Sequence, residues 1–290
     1  MTGTLYLVST PIGNLEDITL RALRVLREAS IIAAEDTRRT ARLLHHYQIE
    51  TGTTSFHAHN EREKASVLLS RLDAGESVAL VTDAGTPVLS DPGQHLVQAA
   101  SARGIRVEAI PGPSAILTAL VAAGIGSEGF TFVGFPPAKM EARTRWFGAN
   151  AHHRLPLVLF EAPHRLLASL RDAQGALGDR VMIACRELTK IHEELVRGPI
   201  SSVIAHFEAH EPRGEFTLIF EPEAIEESEP VPLSDDEAWS QFGRMIENGL
   251  SRREAVAALA RQTQRPAREV YACVERGKER ARAGADDSNV

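Results

Sequence analysis

Two cysteines, two tryptophans and a 5% share of aromatic residues are little for a chain of 290 residues. Cys185 and Cys273 stand far apart, so neither a disulfide framework nor a Cys-rich zinc site can be built from them, and a reducing cytosol suits this usage. No uncharged apolar run approaches the roughly 18 residues that a membrane span needs. The start, MTGTLYLVSTPIGN, has neither the basic beginning nor the long apolar stretch of a secretory leader. A soluble, cytoplasmic protein with no membrane partner is expected. Basic residues number 32 against 39 acidic, a net charge of −7, which excludes a polybasic nucleic-acid sponge, and no DNA partner is expected. The chain also lacks the G-x-x-x-x-G-K-[ST] loop of phosphate-binding ATPases, and its first turn has one glycine, Gly13, where a dinucleotide site needs G-x-G-x-x-G.

What is there is an alternation. Short apolar runs at 4–9, 31–34, 53–56, 77–82 and 106–110 read as strands, and amphipathic stretches at 19–28, 38–46, 61–72, 94–102 and 114–122 as the helices that follow them. Five strand-then-helix units in about 120 residues make an α/β domain. Gly124, Gly126 and Gly129 punctuate the chain, and strands are expected again at 130–134, 157–161, 181–184, near 193–196 and at 216–221, with helices at 165–173 and 200–209. The expected division is an N-terminal α/β domain at 1–120, a second at 121–221, a linker at 222–237 and a helical extension at 238–283.

Charge separates the last two. Residues 221–237 carry eight acids and no base, with Pro222, Pro230 and Pro232 among them, whereas 238–290 carry ten bases and seven acids. Ser251 with Glu254 has capping-box spacing, and two helices are expected with a turn at 261–265, turning Val256 and Leu259 toward Val270, Tyr271 and Val274. Either a small helical cap or an RNA-contacting helix pair fits this pattern.

Three loops poor in side chains lie within residues 82–114, each just past a strand: TDAGTP, SDPG and PGPS. Backbone amides in such loops can touch a ligand directly, and ligands of parallel sheets collect at the carboxyl ends of the strands. These loops belong to a longer series of motifs: LYLVSTPIGNLEDITLRA at 5–22, AAEDTRRT at 33–40, LVTDAGTPVLSDPG at 80–93, IPGPSA at 110–115, FVGFPP at 132–137, LFEAPHR at 159–165, RELTK at 186–190 and GEFTLIFE at 214–221. In this order they make the chain resemble the tetrapyrrole methylase superfamily of S-adenosylmethionine-dependent methyltransferases over residues 4–221. Members acting on corrin rings tend to a G-P-G-x-G-like first loop. Here it reads TPIGN, which resembles the branch acting on ribosomal RNA.

The resemblance implies two α/β domains with an S-adenosylmethionine cleft between them, usually in a homodimer. It implies 2′-O-methylation of a cytidine ribose in small-subunit ribosomal RNA, free or in the assembled small ribosomal subunit. It puts Asp83, Ala84, Gly85 and Thr86 on the cofactor, joined by Pro111, Gly112 and Ser114 and by Phe160, Glu161 and Ala162. A tetrapyrrole or other small-molecule methyltransferase, and a non-catalytic RNA-binding assembly factor, are the rival readings.

The residue types agree with such a ligand. A zwitterion with a sulfonium and an adenosine wants backbone donors, a carboxylate or two and apolar walls; Asp83 and Glu161 supply acids, Ile110 and Phe160 walls. Methyl transfer to an alcohol needs a group to take the hydroxyl proton. Glu35, Asp36 and Glu187 are candidates, and Lys190 would either hold a phosphate or act as a base with a depressed pKa. For the RNA, Arg38 and Arg39 stand beside a strand end, with Pro11, Gly13 and Asn14 in the first loop, whereas Arg21, Arg24 and Arg27 read as a solvated helix face. His57 and His59 alternate as if on one strand face, but no acidic or thiol partner has a matching spacing, and no metal is expected.

Overall fold

The computed structural model describes residues 2–125, 129–222, 234–263 and 265–286. Most of the segment expected as a linker, 223–233, lies outside the described residues, as does Gly126. Met1–Glu223 forms one compact unit and Ala224–Val290 another.

In the first unit the early apolar runs become β1 (Thr4–Val8), β2 (Ile31–Ala34), β3 (Thr53–Ser55), β4 (Val78–Val81) and β5 (Arg106–Ile110), a wholly parallel sheet in the order β3-β2-β4-β1-β5. Parallel neighbours require crossovers, supplied by α1 (Leu20–Glu28), α2 (Thr37–His46), α3 (Glu61–Asp73) and α4 (Gln94–Ala102). All four residues of β4 are buried because the sheet is covered on both faces. The period of two then sorts them: Val78 and Leu80 pack with Leu68, Leu72 and Leu96, while Ala79 and Val81 join Leu23, Leu26 and Leu43. Leu26 and Leu72 are fully buried, so truncating either to alanine costs about 2–5 kcal/mol. Side-chain caps fix helix starts close to strand ends: Asp36 Oδ1 accepts from the Arg38 amide at 2.8 Å, and Thr19 Oγ1 from that of Ala22 at 3.1 Å.

The second sheet differs. Its strands β6 (Thr131–Phe132), β7 (Leu157–Glu161), β8 (Val181–Arg186), β9 (Glu194–Pro199) and β10 (Phe216–Phe220) lie in the order β6-β7-β10-β8-β9, with β6 and β7 parallel and the other pairs antiparallel. α6 (Met140–Ala149), α7 (Leu166–Leu177) and α8 (Ile200–Ala209) contribute Phe147, Leu166, Leu170, Val203 and Phe207 to the core on one face. The other face, with Val158, Ile183, Cys185 and Ile219, packs against Ile116, Ala119 and Leu120 of α5 (Ala115–Ala122). The last helix of the first series therefore covers the second sheet, with Ile12 from the loop after β1 in the same cluster.

The second unit is a three-helix bundle of α9 (Asp235–Glu247), α10 (Arg252–Thr263) and α11 (Ala267–Asp286), around Ala238, Phe242, Leu259, Val270 and Val274. The Ser251–Glu254 capping box forms, with the serine amide and hydroxyl donating to Glu254 Oε2 at 2.9 and 2.6 Å. Ser234 and Glu237 make a second, at the start of α9. The expected inward Tyr271 is instead half exposed, because the inner face of α11 runs through Val270 and Val274. Part of the basic charge is neutralised within the bundle: Arg276 and Arg280 pair with Asp235 at 2.9 and 3.1 Å, and Arg252 with Glu275 at 3.3 Å. Among the described residues no helix is long and apolar enough to cross a membrane.

Candidate functional site

The carboxyl ends of the parallel strands open into a cavity of about 340 Å³, within the first unit and lined from both sheets. Ile12 follows β1, Glu35 and Arg39 follow β2, residues 82–86 and 89–91 follow β4, and 114–116 follow β5; the second sheet adds Phe135, residues 160–163, Cys185, Leu188 and residues 214–217. The volume lies in the range of small-molecule sites. Backbone pairing fixes the inner loops: the Thr10 amide donates to Gly85 O at 2.9 Å, and the Gly85 amide to Thr10 O at 3.0 Å. Ser9 and Thr86 join their hydroxyls at 3.0 Å. The outer part of the β4 loop is strained, since Val88 (φ 77°) and Ser90 (φ 67°) have left-handed backbone that costs a β-branched residue most.

Carboxylates gather on one wall. Thr82 Oγ1 lies 2.7 Å from Glu35 Oε2 and 2.7 Å from Asp91 Oδ2, yet has one hydrogen to give. Both contacts are satisfied when the hydroxyl donates to Glu35 and Asp91 carries a proton of its own. Burial, with Glu35 and Asp83 nearby, pushes the Asp91 pKa up to about 6, although the bond to Thr82 opposes the rise. Asp83 is also raised, first by burial and then by the Glu35 charge. Its oxygens accept from the Asp36 amide at 3.0 Å and face Arg39 at 3.4 Å, so it bridges two strand ends rather than closing a local turn.

Of the residues assigned from the sequence, the cavity collects Glu35, Arg39, Asp83, Ala84, Gly85, Thr86, Ser114, Phe160, Glu161 and Ala162. The others lie elsewhere. Pro111 and Gly112 are exposed and absent from the lining, Gly112 packing against Ser9, while Ile110, expected as a wall, is buried in the core beneath α1 and α2. Asp36 caps α2 and chelates the Arg38 guanidinium, whose hydrogen bonds hold its pKa down at about 2, too low for a useful base. Lys190 donates to Glu187 at 2.8 Å and to Glu215 at 2.8 Å. Against the effect of burial, both bonds raise its pKa, and the Lys190 bond with that of the Glu215 amide lowers the pKa of Glu187. A base with a depressed pKa at Lys190 is thereby corrected to an ammonium held between carboxylates. Gly13 packs on this cluster so closely that a Cβ there would lie 2.5 Å from Lys190 Cγ, and Asn14 caps a short 3-10 turn. Pro11, Gly13 and Asn14 thus do not line the cavity, whereas Ile12 among them does.

Glu161 contributes its backbone more than its charge. Its side chain is fully buried and its acceptors are taken: Oε1 receives the Ala162 amide at 2.8 Å and faces Arg165 at 3.3 Å, and Oε2 receives the Ser169 hydroxyl. Asp91 is the acid that reasoning from sequence passed over. It stands in SDPG, whose aspartate looks like a turn former, and no periodicity signals that its loop folds back to Thr82. His57 and His59 follow β3 in a turn, not on a strand, with ring centroids 5.9 Å apart. Among the described residues no group of three His, Cys, Asp or Glu is placed to hold a metal.

Comparison with known proteins adds a family to this geometry. The family model of the tetrapyrrole (corrin/porphyrin) methylases matches residues 4–204. A ribosomal RNA small subunit methyltransferase I from Synechocystis sp. is 43% identical over 270 residues, covering 93% of this chain and 96% of its own. The protein of the same name from Escherichia coli O157:H7 is 46% identical over 230 residues, with coverages of 78% and 80%. Among solved structures, a uroporphyrin-III C-methyltransferase from Thermus thermophilus complexed with S-adenosylhomocysteine superposes with a TM-score of 0.54 at 20% identity, over 75% of this chain and 97% of its own. That last likeness is one of fold.

Proposed function

The chain belongs to the tetrapyrrole methylase family, alongside the ribosomal RNA small subunit methyltransferase I proteins, and from that premise we propose that it methylates the 2′-hydroxyl of a cytidine ribose in small-subunit ribosomal RNA. The observation that carries this reading is the match to relatives of that name along 93% of the chain, together with a cavity at the strand ends built from the motif loops.

S-adenosylmethionine is the methyl donor of this family, and bound in the cavity it supplies a methyl carbon made electrophilic by a sulfonium. The cavity suits it: backbone amides and carbonyls of 83–86, the start of α5 at Ser114, and apolar walls from Ile12, Ile116 and Phe160. Asp83, already engaged with the Asp36 amide and Arg39, stabilises positive charge without swinging away. Of the candidate bases, Glu35 lies in the cavity; Asp91 joins it through Thr82. We assign Asp91, in its ionised form, as the acceptor of the ribose hydroxyl proton and Glu35 as the group that orients Thr82. A carboxylate with a pKa near 6 is a stronger base than an ordinary aspartate and is still ionised at neutral pH. Arg38, 89% exposed in its side chain, and Arg39 supply cations for RNA phosphates. The enzyme works in the cytoplasm as a homodimer, which light scattering of the purified protein checks.

The test uses small ribosomal subunits from cells lacking the gene, incubated with the protein and methyl-labelled S-adenosylmethionine. Label in the ribosomal RNA at a cytidine 2′-oxygen is the expected result. Label in a corrin precursor and none in RNA, or no calorimetric heat with the cofactor, overturns the reading.

A further inference from the structure

Phe135 is a large apolar side chain left 53% exposed at the cavity. Its ring leans on Phe160, centroids 5.4 Å apart at 53°, and Phe160 meets Phe132 edge-on at 5.0 Å, a row of aromatics from the core to the surface. Leu89, 47% exposed, also lines the cavity, from the strained β4 loop of the other sheet. An isolated exposed phenylalanine calls for no explanation. This one sits on a loop held by two arginines. Arg165 donates to the carbonyls of Pro136 at 2.6 Å and Pro137 at 3.1 Å; Arg143, 5% exposed and paired with Asp172 at 2.7 Å, donates to that of Ala138 at 3.1 Å. Three consecutive carbonyls tied to two guanidinium groups leave the ring little freedom to fold away. Lys139 follows them directly at the start of α6, exposed and without an ion-pair partner among the described residues.

We propose that Phe135 is the stacking platform for the base of the target nucleotide, which lies between this ring and Leu89 while Lys139 meets a neighbouring phosphate. The inference rests on the RNA-methylating function proposed above. A ribose inside a structured RNA reaches a cofactor cavity when its nucleotide is splayed out, and an unstacked base loses contacts that an aromatic face restores. A preorganised ring restores them without the cost of ordering a loop on binding. The row of aromatics divides the work: Phe160, half-buried, is a cavity wall, and Phe135, at its open end, faces the base.

Steady-state methylation of small subunits from cells lacking the gene, with the full-length protein, tests this. Phe135→Ala is expected to lower kcat/KM for the subunits by about 5- to 150-fold, the range of base–aromatic stacking, chiefly through KM. Phe135→Tyr keeps near wild-type values, and the calorimetric affinity for S-adenosylmethionine is unchanged in both. If wild type labels the RNA while Phe135→Ala matches it, the inference falls and the function stands. It falls equally if cofactor affinity drops in proportion to kcat/KM, which makes Phe135 a cofactor wall, or if Phe135→Leu restores full activity, which makes bulk sufficient. Absence of label with the wild type overturns the function and this inference with it.

Discussion

At pH 8 the Asp91 carboxyl has to hold its charge in a partly buried place beside Glu35 and Asp83. A carboxylate whose pKa is raised on folding destabilises the folded chain wherever it is ionised: the cost is absent below about pH 4 and fully present above about 6. Asp91→Asn should therefore raise the melting temperature at pH 8, with the gain vanishing toward pH 4; an equal gain at both would remove the charge argument. The same variant should lose methyl transfer by about 100-fold or more, as removal of a general base does, while still binding S-adenosylmethionine. Wild-type kcat should fall as pH drops through about 6, where Asp91 takes up its proton. Glu161 should behave oppositely. Its buried carboxylate serves the chain, and Glu161→Gln should cost stability by about 3–5 kcal/mol, as breaking a buried pair does, with the rate per folded molecule little changed. Chemical denaturation alongside an active-site titration separates the two effects. The acids at 35, 83 and 161 were legible in the sequence because each closes a strand, where a carboxylate stands out. What they touch was not, since Asp36 and Asp91 differ through partners 2 and 9 residues away, Arg38 and Thr82.

Among the elements, the strands and helices of the first sheet follow the sequence pattern closely, because a parallel strand buried on both faces reads as an unbroken apolar run. The second half was harder to read. α6 buries Phe147 and the charged Arg143, so its sequence, MEARTRWFGA, shows no apolar stripe, and the antiparallel pairing of β8 with β9 and β10 leaves no mark in periodicity. α9 and α11 pack where Gly277 faces Asp235: a Cβ there would lie 2.1 Å from the Asp235 carbonyl oxygen and 2.7 Å from Trp239 Cβ. Gly277→Val should push these helices apart and unfold the bundle at lower denaturant. Hydrogen exchange should show lost protection in α9 and α11 while β4 and β10 keep theirs; equal loss in both units contradicts two independent cores.

For the whole molecule, every residue lining the cavity belongs to the first unit, so a chain ending at residue 223 should bind S-adenosylmethionine as the full protein does. Calorimetry on the truncated chain decides it, and a lost affinity would give the bundle a share in the cofactor site. Two sheets with their order along the chain were legible as repeated strand-and-helix cycles. That α5 packs on the second sheet was not, because nothing in ILTALVA says which sheet it covers. The order of the second sheet bears on synthesis as well. β10, last of its strands to leave the ribosome, lies in the middle of β6-β7-β10-β8-β9, between β7 and β8. Until residue 220 emerges, β7 and β8 lack the strand that joins them, and the surface that α5 packs on lacks Ile219. Phe216 and Thr217 of that strand line the cavity, so its wall is completed late, and a chain cut short before them lacks that part of it.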